Sequence, residues 1–242
     1  MKLVVLLIVL ITTSLANQCP PNQVNMDGCI PFEDAVNKAE SWLMERMPPW
    51  DQELKNSLFG NPKIKVDGLG TGPASIGVQA SIQAKIDYPW AEKISQEMWY
   101  DYNLPYANVD EPRNNWRPFL VNKASPLVSN LLNKNAKISD VVTAVNEGIW
   151  DILGKPGFPI KFRSSQTPLI YDPMSTITFG YASCTGISIL FVDVLRSIGV
   201  CARLVGTPAW NNNAEKGNHN WVEVLMESET DPSGYEWGMM EG

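Results

Sequence analysis

The sequence has little of what marks several large classes of protein. Its 17 glycines and 18 prolines are too few for a fibrous or low-complexity chain. Lysine and arginine form no cluster, so we do not expect a nucleic acid as a partner. The net charge of −7 mainly favours solubility. The sequence contains no CxxC pair, EF-hand-like run or Asn-x-Ser/Thr sequon, so we predict no metal ion, no cofactor and no N-glycosylation.

Long hydrophobic runs are also missing, apart from one at the start of the chain. Met1 and Lys2 precede the stretch LVVLLIVLI, and the small residues Ser14 and Ala16 follow it. This order is typical of a secretory signal peptide, so we predict a signal peptide at 1–16 and a secreted protein. The alternative is a membrane anchor, but the run is shorter than the roughly 20 residues that span a bilayer. We therefore expect no stable membrane insertion after cleavage.

What the chain does contain is enough for a globular core. Hydrophobic residues make up 44% and aromatic residues 10% of its 242 residues, which allows one or two domains. Cys19 and Cys29 lie near the predicted mature N-terminus. In an oxidising compartment this pair is expected to form one small disulfide loop, with two unpaired thiols as the alternative.

Residues 17–110 are predicted to form an N-terminal helical and loop region. Helical spacing indicates a first helix that starts near residue 32 and ends at the Pro-Pro pair 48–49. Its apolar positions are Ala35, Ala39, Leu43 and Met47. Residues 60–80 contain many Gly and Pro residues and indicate a loop. A helical segment over 76–104 follows, interrupted by one proline.

The next stretch alternates between irregular chain and one helix. Residues 105–127 mix turn formers with aromatics, which indicates a surface connection with packed aromatic anchors. Residues 136–153 indicate a helix with Ser139 as a possible N-cap. Its predicted apolar face consists of Val142, Val145, Ile149 and Ile152. Residues 160–183 contain many turn formers and indicate extended chain.

The last part of the chain combines one strong helix with three strands. The helix has apolar residues at spacings of three and four, namely Ile187, Leu190, Val194 and Ile198, and Gly199 stands at its C-cap position. The segments VCARLVG, HNWVEVLM and EWGMMEG have the composition of strands. This order predicts an α+β domain over 111–242, with the helix packed on an antiparallel sheet.

Cys184 is the candidate nucleophile because it stands directly before this helix, in GYASCTG. Free N–H groups and the positive end of the helix dipole favour the thiolate, the nucleophilic form of the side chain. The same N–H groups can stabilise an oxyanion. The alternative is a buried cysteine of the core, since unpaired cysteines are often buried.

His219 is the only histidine of the chain, so a thiol enzyme that uses histidine has one candidate base. It lies where a loop meets a predicted strand, and a strand can aim a side chain. A lone histidine is otherwise more often structural or exposed. A third group should orient the imidazole. Glu241, on the next predicted strand, is the first candidate, and Asp231, in the preceding loop, is its rival.

Residues 180–241 resemble the transglutaminase-like superfamily. The family pattern has Gly-x-x-Ala/Ser-Cys, Leu-Arg-x-x-Gly-Val/Ile-x-Ala-Arg and His-x-Trp-Val-Glu, followed by Trp and an acid. This chain shows GYASCTG, LRSIGVCARLVG, HNWVEV and WGMME. The resemblance implies a papain-like core with Cys184 as nucleophile, His219 as base and Glu241 as third member. Segments from about residue 95 onwards are also similar to a secreted or bacterial-type branch.

Two positions depart from the family pattern. The third member is usually Asp, whereas this chain has Glu241, which is one methylene longer and can still accept an imidazole N–H. Cys201 stands where the family often has Pro. We interpret Cys201 as a small apolar filler of the buried strand and disfavour a regulatory disulfide with Cys184.

Four further residues are weaker candidates for the site. Gln166 or Tyr181 could add an oxyanion donor to the N–H of Cys184, although each is also compatible with a purely structural role. Trp210 lies in the polar loop before His219, and Trp221 follows it by two residues. Both are candidates for a substrate rim, with an ordinary loop and strand packing as the alternatives.

These residues predict an enzyme that forms a thioester between Cys184 and an amide of a protein or peptide substrate. The acyl group would then pass to an amine or to water. One alternative is a cysteine peptidase. Another is an inactive secreted binding or scaffold protein, which the Glu241 departure favours. The chain stops one residue after Glu241, as expected for a fragment or a truncated gene product.

Overall fold

The computed structural model describes residues 19–61, 63–132, 134–165 and 169–242. The predicted signal peptide lies outside these residues, and so does Gln166. Within them the protein has an α+β architecture. None of the helices in these four ranges has the length and apolar character needed to cross a membrane.

The described residues form eight α-helices and seven strands. The helices are α1 (Phe32–Glu45), α2 (Lys55–Phe59), α3 (Pro73–Asp87), α4 (Gln96–Tyr102), α5 (Trp116–Val128), α6 (Ile138–Leu153), α7 (Pro173–Phe179) and α8 (Cys184–Ser197). The strands are β1 (Gln23–Asn25), β2 (Cys29–Pro31), β3 (Lys161–Phe162), β4 (Tyr181–Ala182), β5 (Ala202–Thr207), β6 (His219–Glu227) and β7 (Tyr235–Met240). Short 3₁₀ turns lie at Pro49–Leu54, Trp210–Asn212 and Ala214–Lys216.

Helix α8 is the centre of the core. It is buried from Gly186 to Ser197, because its side chains are apolar almost all around the axis. One side packs on the antiparallel sheet β5-β6-β7, and the other side packs on α5 and α3. Val222 and Val224 of β6 are fully buried, whereas Trp221 and Glu223 on the opposite face are partly exposed. The predicted arrangement of one helix on an antiparallel sheet is therefore confirmed.

The prediction of a surface connection at 105–127 is wrong, because α5 occupies Trp116–Val128. Its buried apolar residues Trp116, Leu120, Ala124 and Val128 recur every four positions, as the inward face of a helix requires. Pro118 obscured this pattern in the sequence. It is the third residue of the helix, where no hydrogen bond from its nitrogen is needed.

The N-terminal region also differs from the prediction. α3 begins at Pro73, inside the predicted loop 60–80, because proline at the first helical position suits the helix start. The predicted segment 76–104 is two helices, since α4 starts anew after its N-cap Ser95, whose Oγ accepts a hydrogen bond from the N–H of Met98 at 3.3 Å.

Two predictions about α6 and its surroundings are corrected. The N-cap of α6 is Lys137 and not Ser139, and Ile152, which was predicted on the apolar face, is 38% exposed. The predicted extended stretch 160–183 contains α7, whose N-cap Asp172 accepts a hydrogen bond from the N–H of Ser175.

The disulfide between Cys19 and Cys29 is confirmed, and it joins the segment before β1 to the first residue of β2. Side chains of the N-terminal region also bind the end of α8. The indole of Trp90 donates to the carbonyl oxygen of Ile198 at 2.8 Å, and the amide of Asn103 donates to that of Arg196 at 3.0 Å. The division into regions at residue 110 stays a prediction.

Candidate active site

Cys184 is the first residue of α8 and is partly exposed. The left-handed Gly180 (φ 79°) ends α7, and the short strand β4 then leads through Ser183 into α8. The N-cap Ser183 makes no side-chain capping bond. The side chain of Ser183 therefore does not occupy the first N–H groups of α8, the turn that Cys184 opens.

His219 is the first residue of β6 and pairs with Thr207 of β5. The next residue, Asn220, ties this strand to the first turns of α8. Its Oδ1 accepts a hydrogen bond from the hydroxyl of Thr185 at 2.8 Å, and its carbonyl oxygen accepts one from the hydroxyl of Ser188 at 3.2 Å. The start of β6 is thereby held against the start of α8.

Glu241 directly follows β7 and contacts the imidazole of His219. The distance between Oε1 of Glu241 and Nε2 of His219 is 2.9 Å. With Nε2 bound to the carboxylate, Nδ1 is the ring nitrogen left for a second partner. The rival Asp231 is engaged elsewhere: its Oδ1 accepts from the N–H and hydroxyl of Ser233, and these bonds hold the pKa of Asp231 below its usual value.

The three residues line one open cleft of about 260 Å³. Cys184, His219 and Glu241 share its wall with the apolar side chains of Phe162 and Ile187. Groups with the chemistry of a thiol nucleophile, a base and an orienting acid therefore meet at one surface depression.

The family comparison fits this geometry. The family model of the transglutaminase-like superfamily matches residues 128–241, the segment that contains Cys184, His219 and Glu241. The chain carries a transglutaminase-like domain. Searches of curated proteins and of solved structures give no match to the chain.

Two tryptophans border the imidazole of the transglutaminase-like domain. The ring centroid of Trp210 is 4.1 Å from that of His219, and the ring of Trp221 lies nearly parallel to the imidazole with its centroid at 6.3 Å. Neither is among the described residues that line the cleft. Their assignment to a substrate rim stays a prediction.

The second cysteine of the transglutaminase-like domain lies far from the cleft. Cys201 is 1% exposed, and burial raises the pKa of its thiol to about 12. It follows the C-terminal end of α8, a helix of 14 residues and hence about 21 Å long, whereas Cys184 is at the other end. A disulfide between the two cannot form in this fold.

Of the two predicted oxyanion donors, the structure describes only Tyr181, and the oxyanion role of either residue stays a prediction. Gln166 lies outside the described residues. Tyr181 is not among the described residues of the cleft wall, and its ring lies beneath the guanidinium of Arg163, with 4.9 Å between the guanidinium carbon and the ring centroid. Across the described residues, no cluster of three His, Cys, Asp or Glu side chains could hold a metal ion.

Two asparagines with structural roles at the site were missed in the sequence. Asn220 holds β6 against α8, and it occupies the variable position of the His-x-Trp pattern. Asn146 of α6 donates from Nδ2 to the carbonyl oxygen of Glu241 at 3.1 Å, and its Oδ1 accepts from the indole of Trp150 at 2.9 Å. Asn146 lies on the polar side of an amphipathic helix, where the sequence pattern gives no signal.

Proposed function

We propose that the protein is a secreted cysteine enzyme of transglutaminase-like type that forms a thioester between Cys184 and an amide of a protein substrate. The observation that carries this proposal is the short contact between His219 and Glu241 in a cleft that they share with Cys184. The disulfide between Cys19 and Cys29 supports an extracellular location, because disulfides persist in oxidising compartments.

The first half of the reaction is acylation of the enzyme. His219 removes the proton of the Cys184 thiol, and the thiolate attacks the carbonyl carbon of a glutamine or asparagine side-chain amide. The N-terminal N–H groups of α8 stabilise the oxyanion. His219 then gives the proton to the leaving nitrogen, so that ammonia departs and a thioester remains.

The second half returns the free enzyme. An amine or a water molecule attacks the thioester, and His219 takes a proton from that nucleophile and passes it to the departing sulfur. An amine acceptor yields a crosslink and water yields deamidation. Throughout, Glu241 accepts the Nε2 proton of His219 and keeps Nδ1 directed to the reacting atoms.

Replacement of Cys184 tests the nucleophile directly. We expect Cys184→Ala to abolish incorporation of a fluorescent amine into a glutamine-containing protein and to leave the circular dichroism spectrum unchanged. Cys201→Ala is the matched control, because Cys201 is buried away from the cleft, and it should retain incorporation. Full activity of Cys184→Ala would refute the assignment.

Alkylation distinguishes an enzyme from an inactive scaffold on the same fold. We expect iodoacetamide near neutral pH to label Cys184 rapidly, because it is partly exposed at a helix N-terminus. Cys201 should react only after unfolding, since it is buried and burial raises its thiol pKa to about 12. Slow, unselective labelling measured by peptide mass spectrometry would favour the scaffold.

The cysteine peptidase alternative makes a different product. Mass spectrometry of a protein substrate incubated with an amine donor separates the outcomes: amine adducts or deamidated side chains support the proposal. Cleavage of the main chain without either modification would identify a peptidase.

A further inference from the structure

The edge of β3 presents free backbone groups beside the cleft. β3 pairs in parallel with β4, and the N–H groups of Lys161 and Arg163 donate to the carbonyl oxygens of Gly180 and Ala182 at 3.1 and 2.8 Å. Because consecutive residues of a strand direct their backbone groups to opposite sides, the N–H and C=O of Phe162 point away from β4. Neither group has a hydrogen-bond partner among the described residues.

This free edge belongs to the same depression as the reactive thiol. Phe162 lies level with Ala182 in the register, two residues before Cys184, and it lines the cleft together with Cys184 and His219. The side chain of Phe162 is large and apolar, yet the residue is 60% exposed. An exposed aromatic side chain next to free strand groups marks a surface that another chain can cover.

The charge around the edge indicates the chemistry of that chain. Lys161 and Arg163, on either side of Phe162, are both exposed, although the protein as a whole has a net charge of −7. Carboxylates in a bound segment would complement this local positive charge.

We propose that β3 binds an extended, acidic peptide segment of the acyl-donor substrate as an added strand, with Phe162 packed against an apolar side chain next to the reactive amide. Main-chain hydrogen bonds to Phe162 then give affinity, and alternate side chains of the segment give specificity. This inference rests on the proposed function, because the segment is the one that delivers an amide to Cys184.

A binding experiment that needs no turnover tests the edge. The probe is a fluorescent peptide with a central glutamine, leucines two residues to either side on the face of Phe162, and glutamates at the alternate positions on the face of Lys161 and Arg163. It is titrated by anisotropy into Cys184→Ala. Adding Phe162→Ala to this protein should weaken binding about tenfold through lost apolar contact. Phe162→Pro also removes the free N–H, which takes no part in the hydrogen bonds between β3 and β4. It should weaken binding about threefold further than Phe162→Ala.

Peptide variants test the strand geometry and the charge. Two probes carry an N-methyl group on neighbouring backbone nitrogens. Since neighbouring N–H groups of a strand point to opposite sides, only one of the two should bind poorly. Lys161→Glu should weaken binding of the acidic probe and strengthen binding of a probe with lysines in place of glutamates.

The outcomes separate the two proposals. Three results would each overturn strand addition. They are equal binding of the probe to the Phe162→Ala and Phe162→Pro proteins, equal binding of the two N-methyl probes, and no binding of the parent probe. A dimer that Phe162→Pro converts to monomers without altered probe binding would instead assign the edge to a second copy. The proposed function is judged separately, by amine incorporation into a blocked glutaminyl-glycine dipeptide that is too short to add as a strand.

Discussion

The imidazole of His219 is held on two sides by groups of different chemistry. The ring of Trp210 packs near it, and the carboxylate of Glu241 binds its Nε2. This contact is worth little to stability, because Glu241 is 56% and His219 22% exposed at the side chain. The proposed role of Glu241 is therefore to orient the ring and not to stabilise the fold.

Removal of this carboxylate should affect the reaction far more than the fold. We expect Glu241→Ala to lower kcat/KM for amine incorporation about 100-fold or more, and to change the free energy of unfolding by less than about 1 kcal/mol. Steady-state kinetics and urea unfolding measure the two effects. Asp231→Ala is the matched control, because Asp231 is bound to Ser233 in its own loop, and it should keep wild-type kinetics.

At the scale of single residues, the sequence predicted groups whose chemistry is rare in the chain. One histidine, a cysteine before a strong helix and an acid on the following strand could be singled out from residue type and order alone. Asn220 and Asn146 could not be singled out, because asparagine is common in this chain. Each also acts through a backbone carbonyl oxygen or on a partner that is distant in sequence.

At the scale of elements, predictions succeeded where apolar periodicity was strong and failed around proline and small residues. α8 and the three strands of its sheet follow their patterns closely. α3 and α5 were missed or shortened because proline in a first turn looks like a break in the sequence, although it is compatible with a helix start. Whether such a segment forms a helix depends on how its residues are buried in the folded protein. The apolar periodicity of the sequence does not carry that information.

The contact between α6 and the end of β7 is a specific link between element packing and the site. The ladder of β7 ends at Met240, so the backbone of Glu241 depends on the hydrogen bond from Asn146. We regard Asn146 as a positioning residue. Asn146→Asp keeps an oxygen for the indole of Trp150 but loses the donor to Glu241, and we expect a fall in kcat of about tenfold with an unchanged KM.

A purely structural role of Asn146 would give a different result. The acidic limb of the pH–rate profile should move in Asn146→Asp, because the His219–Glu241 pair is displaced, while the melting temperature stays near that of the parent. Glu147→Ala, at the exposed next position of α6, should change neither. A lowered melting temperature with an unmoved pH profile would contradict the positioning role.

At the scale of the whole molecule, charged groups lie buried where α8 meets α5 and the segment before it. Asp193 is fully buried, and its Oδ1 accepts a hydrogen bond from the amide of Asn108 at 3.0 Å. Burial raises the pKa of Asp193 from 3.8 to about 8, with Glu111 acting in the same direction and Arg196 and Arg117 opposing it. Between about pH 4 and pH 8, we therefore expect the folded protein to bind a proton at Asp193 that the unfolded chain releases.

This difference gives the stability a pH dependence of definite sign. The contribution of Asp193 is complete below its unfolded pKa of 3.8 and is lost as the pH rises towards the folded value of about 8. Asp193→Asn mimics the protonated form and should lack this loss. The free energy of unfolding of Asp193→Asn minus that of the parent should therefore grow by roughly 1 to 3 kcal/mol from about pH 5 to pH 8. Urea unfolding at each pH measures this difference. A parent and a variant with parallel stability profiles would mean that Asp193 is ionised in the folded state, with the charge of Arg196 outweighing the cost of burial.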